Sequence, residues 1–270
     1  MKIDSVIEKG SSPINEDFLL IKNNLYGVFD GMSSLVKYEG PKGETGGFLA
    51  GKIAKDIFSK NQNKPLANIA RDINKKLREE MKKEKINFNN PVESWSTTVA
   101  VIRIVKNFLE YLQIGDSPII IIYKNKPLDI FISEDWDKES LALWKKLAQE
   151  GVLNIRNDER MVKQLVKVRR RLNIDYGSLN GQDDCFKFAQ KGSIPLIGIR
   201  HVLLFTDGFF IPDENPRQNR NFNKIVELFS SSGLSGVKNY VRQIENSDPA
   251  CINYPRFRKN DEVAAIAISF

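Results

Sequence analysis

The sequence predicts an α+β protein in which mainly antiparallel sheet is layered with helices. Three observations lead there. Short apolar runs lie side by side with two-residue loops between them, the spacing of hairpins rather than of crossovers. Apolar residues at helical spacing fill the intervals between groups of strands. No repeat or low-complexity linker divides the 270 residues, so the chain is read as one domain over 1–270, with a largely helical segment around 134–200.

The elements follow in order. Phe18 to Lys22 and Leu25 to Asp30 read as two strands joined by Asn23-Asn24, because asparagine tolerates the positive φ of a tight turn. Gly47 to Ser59 reads as a helix with Leu49, Ile53 and Ile57 on one face. Leu66, Ile69, Ile73, Leu77 and Met81 mark a second, longer helix. Thr97 to Val105 and Phe108 to Ile114 form another hairpin around Lys106-Asn107, and Pro118 to Tyr123 and Leu128 to Ile132 extend the sheet. Glu134 to Leu172 is mostly helical and polar. Strand pattern resumes at His201 to Thr206. Val237, Tyr240, Val241 and Ile244 then share a helix face, and Val263 to Ser269 closes the chain as a strand.

Composition removes several function classes. No run is apolar and long enough to span a bilayer, and Met1 to Gly10 has no signal-peptide core. Cys185 and Cys251 stand far apart and flank no other thiol, so they make neither a disulfide framework nor a thiolate zinc site. The expectation is a cytoplasmic protein of a reducing compartment. The only histidine, His201, opens an apolar run with nothing local to orient it as a base, and is read as a strand-edge or core residue. Carboxylates must therefore carry most of any catalysis. A net charge of +7 favours acidic or phosphorylated partners without choosing between them.

The carboxylates fall in a pattern. Three apolar strands each run into an aspartate beside glycine: Phe29-Asp30-Gly31, Ile114-Gly115-Asp116 and Phe205-Thr206-Asp207-Gly208. Asp261 stands just before the last strand. Each Asp-Gly alone is an ordinary turn signal. The first hairpin makes the set harder to dismiss. If Asn23-Asn24 is its loop, counting outward sets Asp17 opposite Asp30 with Glu16 adjacent. Like charges directly opposite destabilise a hairpin, unless a cation sits there. Oxygen donors without His or Cys suit hard ions such as Mg²⁺ or Mn²⁺.

With these residues the chain resembles the metal-dependent Ser/Thr protein phosphatases of type 2C. The matching pieces, in the family's order, are Asn15-Glu16-Asp17, Val28-Phe29-Asp30-Gly31, Gly115-Asp116-Ser117, Leu204-Phe205-Thr206-Asp207-Gly208 and Asn260-Asp261. The resemblance implies a four-layer α-β-β-α sandwich with the metal site at one end of the sheets. It implies that Asp30 bridges two Mn²⁺ or Mg²⁺ ions, and that Asp207 and Asp261 complete the protein ligands of the first. The Gly31 carbonyl and Glu16 would hold the second ion, and Asp17 would anchor metal-bound waters. Asp116, with Asp207, would hold a third, looser ion. Asp30 and Asp207 would thus carry catalysis through a metal-activated water, on a phosphorylated protein substrate and as a monomer.

Two positions depart from the pattern. The family commonly has an arginine that grips substrate phosphate where this chain has Ser12, and often a histidine that protonates the leaving group where this chain has Met32. Losing a general acid costs about 10²-fold or more in rate. Two readings therefore stand: an active phosphatase, or a catalytically weak relative that binds a phosphoprotein or partner. Other signals are weaker. Gly46 to Lys52 nearly matches a phosphate-binding loop, but Ile53 replaces the Ser/Thr that would hold Mg²⁺, so it reads as a helix start with small residues for close packing. Arg156 to Arg171 reads as a solvated helix face, with a docking surface as the alternative. No aromatic-basic motif supports nucleic-acid binding.

Overall fold

The computed structural model describes residues 1–32, 34–133 and 135–270; Glu134, the first residue of the segment read as helical, lies outside them. One sheet runs in the order β1 (Lys2–Glu8), β11 (Val263–Ser269), β10 (Ile199–Phe205), β7 (Ile119–Tyr123), β8 (Asp129–Phe131). The other runs β2 (Asp17–Lys22), β3 (Leu25–Met32), β5 (Val99–Val105), β6 (Phe108–Ile114), β9 (Gln190–Pro195), with the short β4 (Ser96–Thr97) on β3. Every pairing between these strands is antiparallel.

The period of two along each strand builds the layers. On β10 and β11, Val202, Leu204, Ala264 and Ile266 face the second sheet and meet Tyr26, Val28, Ala100 and Ile102. The alternate residues Leu203, Phe205, Val263 and Ala265 face outward and are covered by Ile225, Phe229 and Val237 of α5 (Phe222–Ser247). Gly233 interrupts that helix with φ 68°. On the other side Phe29, Val101 and Leu112 are covered by α1 (Gly46–Lys60) and α2 (Leu66–Lys83) through Ala54, Phe58, Ile73 and Leu77. The result is the α-β-β-α sandwich. Between β8 and β9 the chain forms α3 (Lys138–Gln149) and α4 (Glu159–Arg169), which share a small core of Trp144, Leu147, Ile155 and Met161. The Trp144 indole N–H ties this segment to the body by donating to the Cys251 carbonyl at 3.0 Å.

Five details differ from the sequence reading. β7 and β8 do not extend the sheet of β5 and β6 but cross to the other one, where β7 pairs with β10. β1 and β9 are additional strands, both at sheet edges and largely exposed. With one side unpaired and little apolar surface, neither carries a strong strand signature. The run Thr97 to Val105 is broken at Thr98, whose N–H donates to the Asp30 carbonyl at 2.9 Å. β3 does not end in a turn at Asp30-Gly31. It continues to Met32 by exchanging β5 for β4 as its partner. The buried face of α1 is Gly47, Ala50, Gly51, Ala54 and Phe58, with Leu49, Ile53 and Ile57 packed at its flank.

Candidate metal centre

The hairpin register is as the sequence dictates. Lys22 pairs with Leu25, Asp17 faces Asp30, and Asn23 takes a positive φ of 54°. Tyr26, Val28 and Asp30 share one face of β3, the face turned toward the other sheet. The same alternation on β10 continues Val202 and Leu204 to Thr206, whose hydroxyl donates to Asp17 Oδ2 at 2.5 Å. Asp17 and Asp30 thus emerge at the mouth of the gap between the sheets, and Asp207 follows directly from β10 of the facing sheet in a single helical turn over Asp207–Phe209.

Backbone contacts fix the rest of the cluster. The Gly31 N–H donates to the Glu16 carbonyl at 3.1 Å. A Cβ at Gly31 would collide with the Gly47 carbonyl, so the first turn of α1 lies directly on the hairpin end. Thr45 caps that helix, accepting from the Phe48 N–H at 3.1 Å while its hydroxyl donates to Glu16. The glycines read as a close-packed helix start therefore serve that purpose. Gly115, at φ 97°, makes the turn that presents Asp116, and Gln113 braces it by donating to the Gly115 and Ser117 carbonyls at 2.6 and 3.0 Å. A Cβ at Gly208 would strike the Glu262 carbonyl, so the Asp207 turn packs against the approach to β11 and meets Asp261.

A cavity of about 180 Å³ opens here, and Asp30, Gly31, Asp116, Asp207 and Asp261 all line it. Glu16 and Asp17 lie behind them, 3% exposed each. Electrostatics records the crowding. Burial, then Asp207 and Asp17, hold Asp30 well above the usual carboxylate range. Burial, then the neighbouring Asp207, Asp261 and Glu262 against a lowering bond from Thr206, do the same to Asp17. Burial, then Asp261 and Asp116, push Asp207 up to about 7. Burial, then Asp137, push Asp116 to about 6. Among the described residues, no three His, Cys, Asp or Glu side chains are already gathered into a group that could hold an ion. Asp207 shares a hydrogen bond with Asp30, and Asp261 accepts from Arg258 Nη1 at 3.0 Å. Protons and a guanidinium offset the charge in this arrangement. An all-oxygen donor set that raises its own pKa values fits a hard divalent cation, whose charge would offset the repulsion directly.

Several cavity residues escaped the sequence reading. Arg258 lines it, pairs with Asp261 and Glu262, and approaches Glu16 Oε2 to 3.6 Å. Its position three residues before Asp261 was the available signal. Arg169 belongs to a run read as a solvated face, yet lines the cavity and bonds Tyr176. Arg170 is exposed and Arg171 pairs with Asp175, so the three arginines divide their tasks. Asp137, pushed to about 6 by burial and then Asp135, stands beside Asp116 in the cavity wall. Met32 also lines it, and its thioether supplies no proton there. The remaining polar candidates stand apart. Burial and then Arg200 depress His201, which shares a 2.8 Å hydrogen bond with Ser269 on β11. Cys185 and Cys251 are buried free thiols, and burial pushes Cys185 up to about 12. No helix among the described residues is long and apolar enough to cross a membrane.

A sandwich with buried carboxylates converging between its sheets defines a class, and the sequence places the chain in it. The protein belongs to the protein phosphatase 2C family, which it matches over residues 21–236. It is accordingly a protein serine/threonine phosphatase, and nothing in the comparisons favours a binding module without activity. Solved structures agree on the fold. The Mycobacterium tuberculosis serine/threonine phosphatase PstP/Ppp superposes with a TM-score of 0.60 at 15% identity, covering 100% of this chain and 98% of that one. The catalytic domain of PstP in complex with two manganese ions gives 0.59 at 15% identity, over 98% and 96%. The Staphylococcus aureus serine/threonine phosphatase Stp1 gives 0.58 at 18% identity, over 100% and 94%. No curated protein matches the chain in sequence.

Proposed function

We propose that this phosphatase works with two divalent cations, Mn²⁺ or Mg²⁺, held by Asp30, Asp207 and Asp261 together with the Gly31 carbonyl and Glu16. Asp17 orients water beneath them, and Asp116 with Asp207 holds a third, looser ion. The observation that carries this reading is the convergence of Asp30, Asp116, Asp207 and Asp261 on one small cavity with Asp17 buried behind them, where burial first and neighbouring carboxylates second push Asp17, Asp30, Asp116 and Asp207 up. Such an arrangement costs stability unless positive charge answers it. The manganese ions of the PstP catalytic domain support the same assignment by fold analogy. When bound, the ions supply a water that is deprotonated near neutral pH and offset the charge of the phosphoryl group.

The protein's own groups do the rest. Arg258 compensates for Ser12. Ser12 bonds Glu262, and the Arg258 guanidinium reaches the same carboxylate, so a fork of donors arrives beside the missing arginine's position. There it can bind two phosphate oxygens side by side. Arg169, braced by Tyr176, lines the same cavity from α4. Met32 offers no proton, so departure of an alkoxide leaving group relies on solvent, and aryl phosphates are hydrolysed more readily than phosphoserine. The test is hydrolysis of p-nitrophenyl phosphate in Mn²⁺ and then in excess chelator. Activity that appears with the metal and disappears with chelation supports the reading; full activity after exhaustive chelation overturns it.

A further inference from the structure

We propose that the groove between α3 and α4 is a docking site for acidic residues beside the phosphorylated residue of a protein substrate. The inference rests on the phosphatase reading and adds a substrate class to it. Charge is the first observation. Lys138 to Arg171 carries ten lysines and arginines against four acids, an excess of six in a protein whose net charge is +7. Nearly all the protein's positive excess is therefore concentrated in this one segment.

Placement is the second. A groove of about 590 Å³ runs between the two helices, with Leu143 and Val168 in its wall and Lys146 and Lys167 at its rim. Its two acids are already engaged. Glu139 is held by Arg217 at 3.0 Å, and Asp175 by Arg171. Lys146 is 71% exposed and its nearest carboxylate, Glu150, lies at the 4.0 Å limit of an ion pair; Lys167 is exposed as well. The groove thus presents lysines to solvent over an apolar floor.

Continuity is the third. Trp136 and Val168 line both this groove and the catalytic cavity, so the two share a wall. An extended peptide advances about 3.3 Å per residue. A chain whose phosphorylated residue enters the cavity can lay its neighbouring residues along the groove, where glutamate or aspartate meets the lysines. Such exposed pairs contribute modestly one by one but add along a surface, steer encounter and weaken with salt.

The experiment uses two phosphothreonine peptides differing only in flanks, one rich in Asp and Glu and one neutral. The wild type should show about tenfold higher kcat/KM on the acidic peptide, falling toward parity in 0.5 M salt, about the effect expected for two rim charges. The double variant Lys146→Glu, Lys167→Glu should lose the preference while hydrolysing p-nitrophenyl phosphate at the wild-type rate. Lys75→Glu, on the exposed face of α2 and outside the groove's lining, should keep it. Anisotropy of a labelled acidic peptide reads binding without catalysis. A protein inactive on the aryl phosphate would refute the phosphatase reading, while peptide binding that the reversals abolish would still support the groove. Equal rates on the two peptides in the wild type, or a preference unchanged by the reversals, overturns the proposal.

Discussion

Replacing Asp207 with asparagine separates the two consequences of a crowded carboxylate: its cost without metal and its use with it. Asp207 is raised from 3.8 to about 7, by burial first and then by Asp261 and Asp116. The sign follows. Between pH 4 and 7 the folded protein holds a proton on Asp207 that the unfolded chain has released, so stability falls as pH rises through that window. About three pH units correspond to roughly 4 kcal/mol, an upper bound because the variant also alters the bond to Asp30. Without metal, Asp207→Asn should melt with the wild type at pH 4 and above it at pH 8. At about 2 °C per kcal/mol for a domain this large, the gap approaches 8 °C. Mn²⁺ at a hundredfold excess over Kd adds about 2.7 kcal/mol to the wild type, a rise of about 5 °C, and should do little for the variant. Scanning calorimetry at pH 4, 6 and 8, with chelator and with millimolar Mn²⁺, measures both effects. A variant that keeps the wild-type metal shift, or whose metal-free advantage does not grow with pH, would refute the reasoning.

Three further outcomes are expected. Met32→His should raise turnover on phosphopeptides several-fold and change p-nitrophenyl phosphate hydrolysis little, because an aryl leaving group needs little protonation; steady-state kinetics on the two substrates decides it. Arg258→Lys should raise KM for phosphopeptides more than it lowers kcat, since lysine keeps the charge opposite Glu262 but loses the two-pronged grip on phosphate. Cys185→Ser and His201→Gln should retain most activity, because both residues lie outside the cavity lining; loss of activity in a folded Cys185→Ser protein would point to thiol chemistry instead.

The parts of the site fixed by local pattern were legible in the sequence. A two-residue asparagine loop determines the register that opposes Asp17 to Asp30, and Asp116, Asp207 and Asp261 were legible because each stands just beyond an end of an apolar strand. What stayed hidden depends on contacts between distant segments. Arg258 matters through its reach to Glu16 and Glu262. Arg169 is distinguished from Arg170 and Arg171 only by which side of α4 meets the cavity. Asp137 sits in an irregular stretch before α3, where no period exists to place it. The edge strands β1 and β9 were silent because each pairs on one side only and buries little. Gly31 was legible as special but for another reason than its actual one: it continues a strand and must be small to admit α1.

Divalent cations held at Asp30 and its neighbours are proposed to be needed for phosphate release. Titrating Mn²⁺ into chelator-treated protein while measuring phosphate released from a phosphothreonine peptide tests it most directly. The wild type should start at background and rise to a plateau as ions bind, while Asp30→Asn stays at background across the same range. Full release in the presence of chelator, or a normal titration by Asp30→Asn, would contradict the claim.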